Sequence, residues 1–337
     1  MEEYSSIFDQ HRKSLGHAAP FAAACAMSAL MAMAGVARAA PPQVELPGDR
    51  TFPESLTSKQ DGTLFVGSFA EGGVLRVKPG ADKAEPWIEP GANGSRSTFG
   101  VLADEKSNRL LVCSNDTSGF GVSGPSTAKG SALKVFDLTT GEAKGSTPIP
   151  GDATLCNDVA LGPDASAYVT DSFNPHILRL RPGGNEFEVW ASDPRFAAPK
   201  GGAGLDGIAF GSDGDVYVNT FTLGGLFKVA VKDGQAGAVT ALQTSRKITL
   251  PDSLRAYGNN TFLMIEGAGS LDLVTVDGGV AKIETIKDGF AGPVSVTQVG
   301  GTAWVAEGQL NNLLDPALKK PSPKLPFRLY AVPLTPQ

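Results

Sequence analysis

Four oxygen-bearing side chains, Glu54, Asn157, Asp206 and Asp252, fall at one fixed point of a unit that recurs along the chain. They stand in Pro53-Glu54-Ser55, Asn157-Asp158-Val159, Leu205-Asp206-Gly207 and Pro251-Asp252-Ser253, each at the start of a short apolar strand. A carboxylate placed in a partly dry setting is costly unless it is paired or bound to a cation, and several together cost more. A hard divalent cation resolves that conflict: carboxylate and amide oxygens suit Ca²⁺ or Mg²⁺, with Mn²⁺ or Zn²⁺ as poorer matches in a set without His or Cys. Asp252 also reads as turn chemistry, because Pro-Asp-Ser favours a turn, and both readings stand at this level. Asp158 follows Asn157 and is expected on the opposite face of its strand, making structural hydrogen bonds.

Other chemistries are excluded by what is missing. His11 and His17 lie in an N-terminal leader, which leaves His176 as the one histidine of the remaining chain and rules out a three-histidine zinc site. There is no Gly-x-Ser-x-Gly elbow of a serine hydrolase. Gly201-Gly202-Ala203-Gly204 follows a loop and leads into a strand, so it is not a phosphate-binding turn before a helix.

The recurring unit that carries these residues is a hairpin and more. Pro53-Glu54-Ser55-Leu56 leads through Gln60-Asp61-Gly62 to Leu64-Phe65-Val66, and five further copies begin at Phe99, Cys156, Leu205, Pro251 and Pro293. Asp-Gly, Asn-Asn and Gly-Gly pairs supply the positive backbone angles that tight hairpins need. A third apolar strand follows in each unit, at Val74–Val77, Leu133–Phe136, Ile177–Leu180, Leu226–Val229, Leu271–Val276 and Phe327–Val332. A weaker fourth is read at Pro86–Ile88, Phe187–Trp190, Val239–Leu242 and Ile283–Ile286. Sheets that cannot bury both faces alone must stack, and six such units predict an all-β, six-bladed β-propeller with four-stranded blades. Val44-Glu45-Leu46 is expected to add the missing strand of the last blade and close the ring.

Composition supports one large domain, residues 40–337, in a chain of 337 residues that is 41% hydrophobic. Residues 1–39 read as a cleaved signal peptide: Arg12 and Lys13 precede an Ala-rich apolar run that ends in Ala37-Arg38-Ala39. Its removal takes three acids and three bases, so the formal charge stays at −6 and no basic patch suggests nucleic acid. The expectation is a periplasmic or secreted protein with no stable membrane span after cleavage. Cys113 and Cys156 then remain, at the same end of neighbouring units, either as a disulfide or as two buried thiols.

With Glu54 in Pro-Glu-Ser, Asn157 in Asn-Asp-Val and Asp206 in Leu-Asp-Gly, the chain resembles the senescence marker protein/gluconolactonase (regucalcin-like) family of six-bladed propellers, over nearly all of residues 44–333. The resemblance implies one divalent cation held by Glu54, Asn157 and Asp206 at the mouth of a central channel, and hydrolysis of a lactone or ester. The cation would polarise the carbonyl while a carboxylate takes a proton from water. The family assigns that proton transfer to the counterpart of Asp206, which is the expected general base here as well as a ligand. Because ligation lowers basicity, Asp252 or Asp171 is the alternative base. Family members carry Arg-x-Asn-Asp-Gly in the second blade, whereas this chain reads Arg96-Ser97-Thr98-Phe99-Gly100, which points to a less polar substrate.

Arg96, Thr98, Asp171, His176 and Glu266 are the expected substrate-binding residues, His176 as a proton shuttle to the leaving alkoxide. Asp171, Glu266 and Glu307 end second strands and form a candidate second ring beside Ser68 and Thr220. Segments Ser114–Gly130 and Gly308–Pro326 are candidate lids, with Phe120 and Leu310 as apolar contacts. Two readings compete with a metallohydrolase of small molecules. One is a non-catalytic propeller with a structural Ca²⁺ that binds a ligand or protein; the other is a metal-free, strictosidine-synthase-like propeller, which would leave Glu54, Asn157 and Asp206 unexplained.

Overall fold

The structure, a computed structural model, describes residues 42–314 and 322–334. The expected signal peptide, residues 1–39, lies outside the described residues, as does part of the Gly308–Pro326 segment. Among the described residues no helix is long and apolar enough to cross a membrane.

Six antiparallel sheets form the ring of a β-propeller. Their innermost strands are Pro53–Ser58, Ser97–Asp104, Cys156–Leu161, Leu205–Phe210, Pro251–Gly258 and Pro293–Val299, and chain order is kept outward through the first four strands of blades one to five and the first three of the last. Inner and second strands are buried almost throughout, as in Leu64–Ser68 and Ala167–Asp171, because both of their faces meet neighbouring blades. Outer strands alternate: in Val280–Lys287 buried Ala281 and Ile283 are separated by the exposed Lys282. That switch from continuous to alternating burial is the pattern of sheets stacked face to face around an axis. Blade faces are joined by aromatic pairs, Phe69 on Phe99, Tyr168 on Phe210 and Tyr217 on Phe262, with ring centroids 5.0, 5.0 and 4.6 Å apart.

The last blade closes as expected. Gln43–Leu46 pairs antiparallel with Phe327–Pro333 and supplies the fourth, outermost strand of that blade. Two outer strands differ from expectation. Ala143–Pro148 is the fourth strand of the second blade, and it is mostly solvent-facing with no apolar alternation to reveal it. Gln243–Thr244 adds a fifth, parallel strand to the fifth blade through Val280 and Ala281.

Cys113 and Cys156 are joined in a disulfide across the seam between blades two and three, with Cα atoms 5.3 Å apart. Because the bond closes a loop of 43 residues, the Cys113→Ala/Cys156→Ala variant should lose about 2–4 kcal/mol of unfolding free energy. Denaturant melts with and without reductant check this: the reduced parent should converge on the variant, and identical curves in all four samples would contradict it.

Candidate functional site

Every inner strand slips register at the same place. The shifts lie between Pro53 and Ser55, Thr98 and Val101, Cys156 and Val159, Leu205 and Ile208, Pro251 and Leu254, and Pro293 and Ser295. A bulge re-aims the side chain it carries, and here each re-aimed residue is a member of one ring: Glu54, Phe99, Asn157, Asp206, Asp252 and Val294. A bulge also leaves a strand N–H without its ladder partner, and the neighbouring blade supplies one. Val101 N donates to Ser55 Oγ at 3.0 Å, Ile208 N to Asp158 Oδ2 at 3.3 Å and Leu56 N to Ser295 Oγ at 3.1 Å. At the two seams without such a side chain the bulge residue is glycine. A Cβ on Gly100 would lie 2.3 Å from Asn157 O, and one on Gly207 would lie 2.5 Å from Asp252 O. Two of the approaches to the ring are strained, since Phe52 and Leu250, each two residues before a ring acid, have φ of 37° and 54° ahead of a proline.

Two polar members of the ring are in direct contact. Asn157 Nδ2 donates to Asp206 Oδ2 at 3.1 Å and to Ser172 Oγ at 2.8 Å, which leaves Asn157 Oδ1 without a protein donor among the described residues. Thr170 Oγ1 and Asn219 Nδ2 hold the backbone carbonyls of Asp206 and Asp252, both at 2.6 Å, so these strand ends are fixed from behind. Glu54, Asn157 and Asp206 are buried. Burial, followed by the charge of Asp206, pushes the Glu54 carboxyl well above its usual range. Burial, with Asp206 and then Glu54 as neighbours, does the same to Asp252. Asp206 is pushed up to about 8 by burial and by Asp158, despite the Asn157 amide that favours its charged form.

One cation lies beneath the ring. Arg255 reaches across the channel to Asp158, with Nη1 2.5 Å from Oδ2 and Nη2 3.0 Å from Oδ1. Burial and the Asp158 charge act on it in opposite directions, and its pKa is raised. Asp158 therefore has the structural bonds expected of it, yet it lines the channel. Arg255 was not singled out in the sequence, because the contact joins residues 97 positions apart and has no spacing signature. Arg255 is paired with Asp158, and although its charge also lowers the Glu54 and Asp206 carboxyls, burial and the neighbouring acids outweigh it. Among the described residues no three His, Cys, Asp or Glu side chains close into a metal-binding cluster. The donors here include an amide and come from three blades.

Above the ring is a cavity of about 280 Å³ whose floor is Glu54, Asn157, Asp206 and Asp252. Phe69, Phe99, Phe120, Phe173 and Phe221 form its wall, a collar that the sequence pattern indicated only through Phe99 and Phe120. Phe120, on a short turn of helix in the Ser114–Gly130 segment, meets Phe173 edge to face at 6.0 Å. Leu310 and Leu314, from the second candidate lid, also border the cavity.

None of the five expected substrate-binding residues lines this cavity. Arg96 is buried in an ion pair with Asp116 at 2.7 Å and donates to Ala128 O, so it braces the Ser114–Gly130 segment. Thr98 is fully buried in the seam between blades one and two, with Oγ1 unpartnered. His176 bonds Ser192 Oγ at 3.2 Å, at the start of the third strand of its blade. Asp171 accepts from Leu155 N, Phe173 N and Asn174, and Glu266 accepts from Thr249 N and Arg246. The second ring exists in another role: Asp171, Glu266 and Glu307 each latch the loop that enters an inner strand, Glu307 through Ala291 N at 2.8 Å. Asp171, with its oxygens engaged by four donors, is not placed to act as a base.

No family model and no curated protein matches the chain by sequence. Solved structures share its fold at low identity. The major allergen Mala s 1 of Malassezia sympodialis is 15% identical with a TM-score of 0.67, covering 87% of this chain and 96% of the allergen. A gluconolactonase from Xanthomonas campestris is 16% identical with a TM-score of 0.60, covering 87% of this chain and 89% of its own. Virginiamycin B lyase from Staphylococcus aureus, bound to quinupristin, is 15% identical with a TM-score of 0.57, covering 86% of this chain and 83% of the lyase. An allergen, a lactonase and a lyase on one architecture make the fold certain and leave the chemistry to the residues of the ring.

Proposed function

We propose that the chain is an exported, divalent-metal-dependent hydrolase of lactones or esters. The observation that carries this reading is the ring itself: three acids and an amide line the floor of one apolar-walled cavity, and the nearby arginine is paired with Asp158. Glu54, Asn157 and Asp206 are the residues that would hold the cation, with Asn157 Oδ1 free to turn to it. Two positive charges offset the crowding that raises all three carboxyls. The bound cation would supply Lewis-acid polarisation of the substrate carbonyl and stabilisation of its developing oxyanion. The gluconolactonase of the same fold is in keeping with this chemistry, and the disulfide is in keeping with export to an oxidising compartment.

The residues divide the remaining work. Asp252, set beside the ligand set and within both the cavity and the ring, takes the proton of the attacking water as its oxygen joins the carbonyl carbon. The carbon–oxygen bond of the ester then breaks, and the alkoxide recovers a proton from Asp252 or solvent. The phenylalanine collar excludes bulk water, which strengthens the electrostatic effects at the floor.

A panel of sugar, aliphatic and aromatic lactones, assayed before and after chelation with Ca²⁺, Mg²⁺, Mn²⁺ and Zn²⁺ added back, tests the proposal. Turnover lost to the chelator and restored by one of these ions is expected. Absent turnover in a protein that still melts higher with an ion would instead assign the ring to a binding propeller.

A further inference from the structure

A second cavity, of about 400 Å³, adjoins the first. Phe221 and Leu310 belong to the walls of both, and Asp252 is the one ring acid that lines both. Glu54 and Asp206 face only the first cavity. The two differ in character. The first is walled by aromatic rings, whereas the second is bounded by Leu250, Gly267, Ala268, Pro293 and Val294, which leave a smoother slot.

The walls offer a polar ligand little. Beyond the ring, among the described residues, the polar side chains lining the two cavities are Thr222 and Asn311, and Thr222 Oγ1 already accepts from Ala203 N. A polyhydroxylated lactone has a hydroxyl on most of its carbons, and burying those without partners is costly. The rim is apolar as well: Phe120, Phe173, Leu250 and Leu314 are 45%, 38%, 36% and 37% exposed, and all four border these cavities. Exposed apolar side chains gathered at one concave mouth mark a binding site for an apolar ligand.

We infer that the substrate is a two-armed apolar ester or lactone, with an aromatic arm in the phenylalanine collar, a slimmer aliphatic arm in the Leu250–Val294 slot and the carbonyl above Asp252. This rests on the hydrolase reading and names its substrate class. A scissile group over Asp252 puts its two substituents on either side of the Phe221 and Leu310 partition, which is what two adjoining lobes accommodate. Phe221 and Leu310 are then the specificity-determining residues of the junction, and Ala268 sets the depth of the slot.

The probes are aryl alkyl ketones, in which a methylene replaces the ester oxygen so that they bind without being cleaved, alongside the matched aryl esters and glucono-lactone as substrates. Calorimetry on the full protein should show affinity rising about fourfold per methylene of the alkyl arm until the slot is full. Ala268→Trp, at an exposed turn position, should flatten that series while leaving aryl preference intact; Phe120→Ala/Phe173→Ala should cost aryl ketones about tenfold and leave the alkyl series. A flat alkyl series in the parent, or one indifferent to Ala268→Trp, overturns the two-lobe assignment even if lactones are hydrolysed. A clear series in ketone binding with no ester cleaved supports the assignment and removes the hydrolase reading instead.

Discussion

Asp252→Asn is expected to lower kcat for the best lactone or ester by about 10²–10⁴-fold while leaving KM and cation affinity close to those of the parent. An amide has the size of the carboxyl it replaces but takes no proton from water. Glu54→Ala and Asp206→Ala should behave differently and lose cation affinity together with turnover, because each removes an anionic ligand. Steady-state kinetics paired with calorimetric cation titrations separate the two classes. If Asp252→Asn loses cation affinity as steeply as Asp206→Ala does, Asp252 is a fourth ligand and the base lies elsewhere. Full activity in either alanine variant would remove the site altogether.

The two roles are separable because of where the bulges put the residues. Asp206 accepts from the Asn157 amide, whereas Asp252 lies next along the ring and opens onto both cavities. A carboxylate that serves as a ligand loses basicity, so the acid beside the ligand set is the better base.

Residue patterns revealed much of the architecture for a physical reason. Inner, second and third strands are buried and apolar, and their turns need residues with special backbone angles, so both leave marks in composition. Outer strands such as Ala143–Pro148 are held by backbone pairing on an exposed edge, which asks little of side chains. The ring acids were visible because an apolar strand gives a charge no local purpose. The expected substrate contacts were not, since alignment by unit can place Asp171 or Glu266 at the right end of a blade without saying which way the side chain turns. Both turn back to satisfy the N–H groups of the loops leading into the inner strands. Arg96 turns to Asp116. The collar was missed because Phe69, Phe173 and Phe221 come from the ends of second strands in different blades, where one aromatic residue is unremarkable by itself.

In chelator, the melting temperature is expected to fall by roughly 5–10 °C between pH 5 and pH 9, and added cation should abolish the upper part of that fall. Asp206 has a folded pKa near 8 against an ordinary value of 3.8. A carboxyl raised on folding adds stability that is complete below its unfolded pKa and disappears as pH climbs through the folded one. Glu54 and Asp252 are raised as well, so they act in the same direction. A cation prefers the ionised ring, so its binding should release protons at pH 7 and tighten as pH rises. Asp272 supplies an internal control. Burial and the adjacent Glu266 raise it to about 6, despite Arg246 and Thr285, in the outer part of the fifth blade. Its share of the fall should therefore be complete by about pH 6 and persist with cation present, while the part of the fall that continues to about pH 8 vanishes. Neutralising one ring acid should also help the metal-free fold: Asp252→Asn is expected to melt higher than the parent in chelator at pH 9, because it removes one of three mutually repelling charges. A chelated protein whose melting temperature is flat from pH 5 to pH 9 would mean that the ring acids are already ionised and compensated, and the electrostatic case for a cation would fall with it.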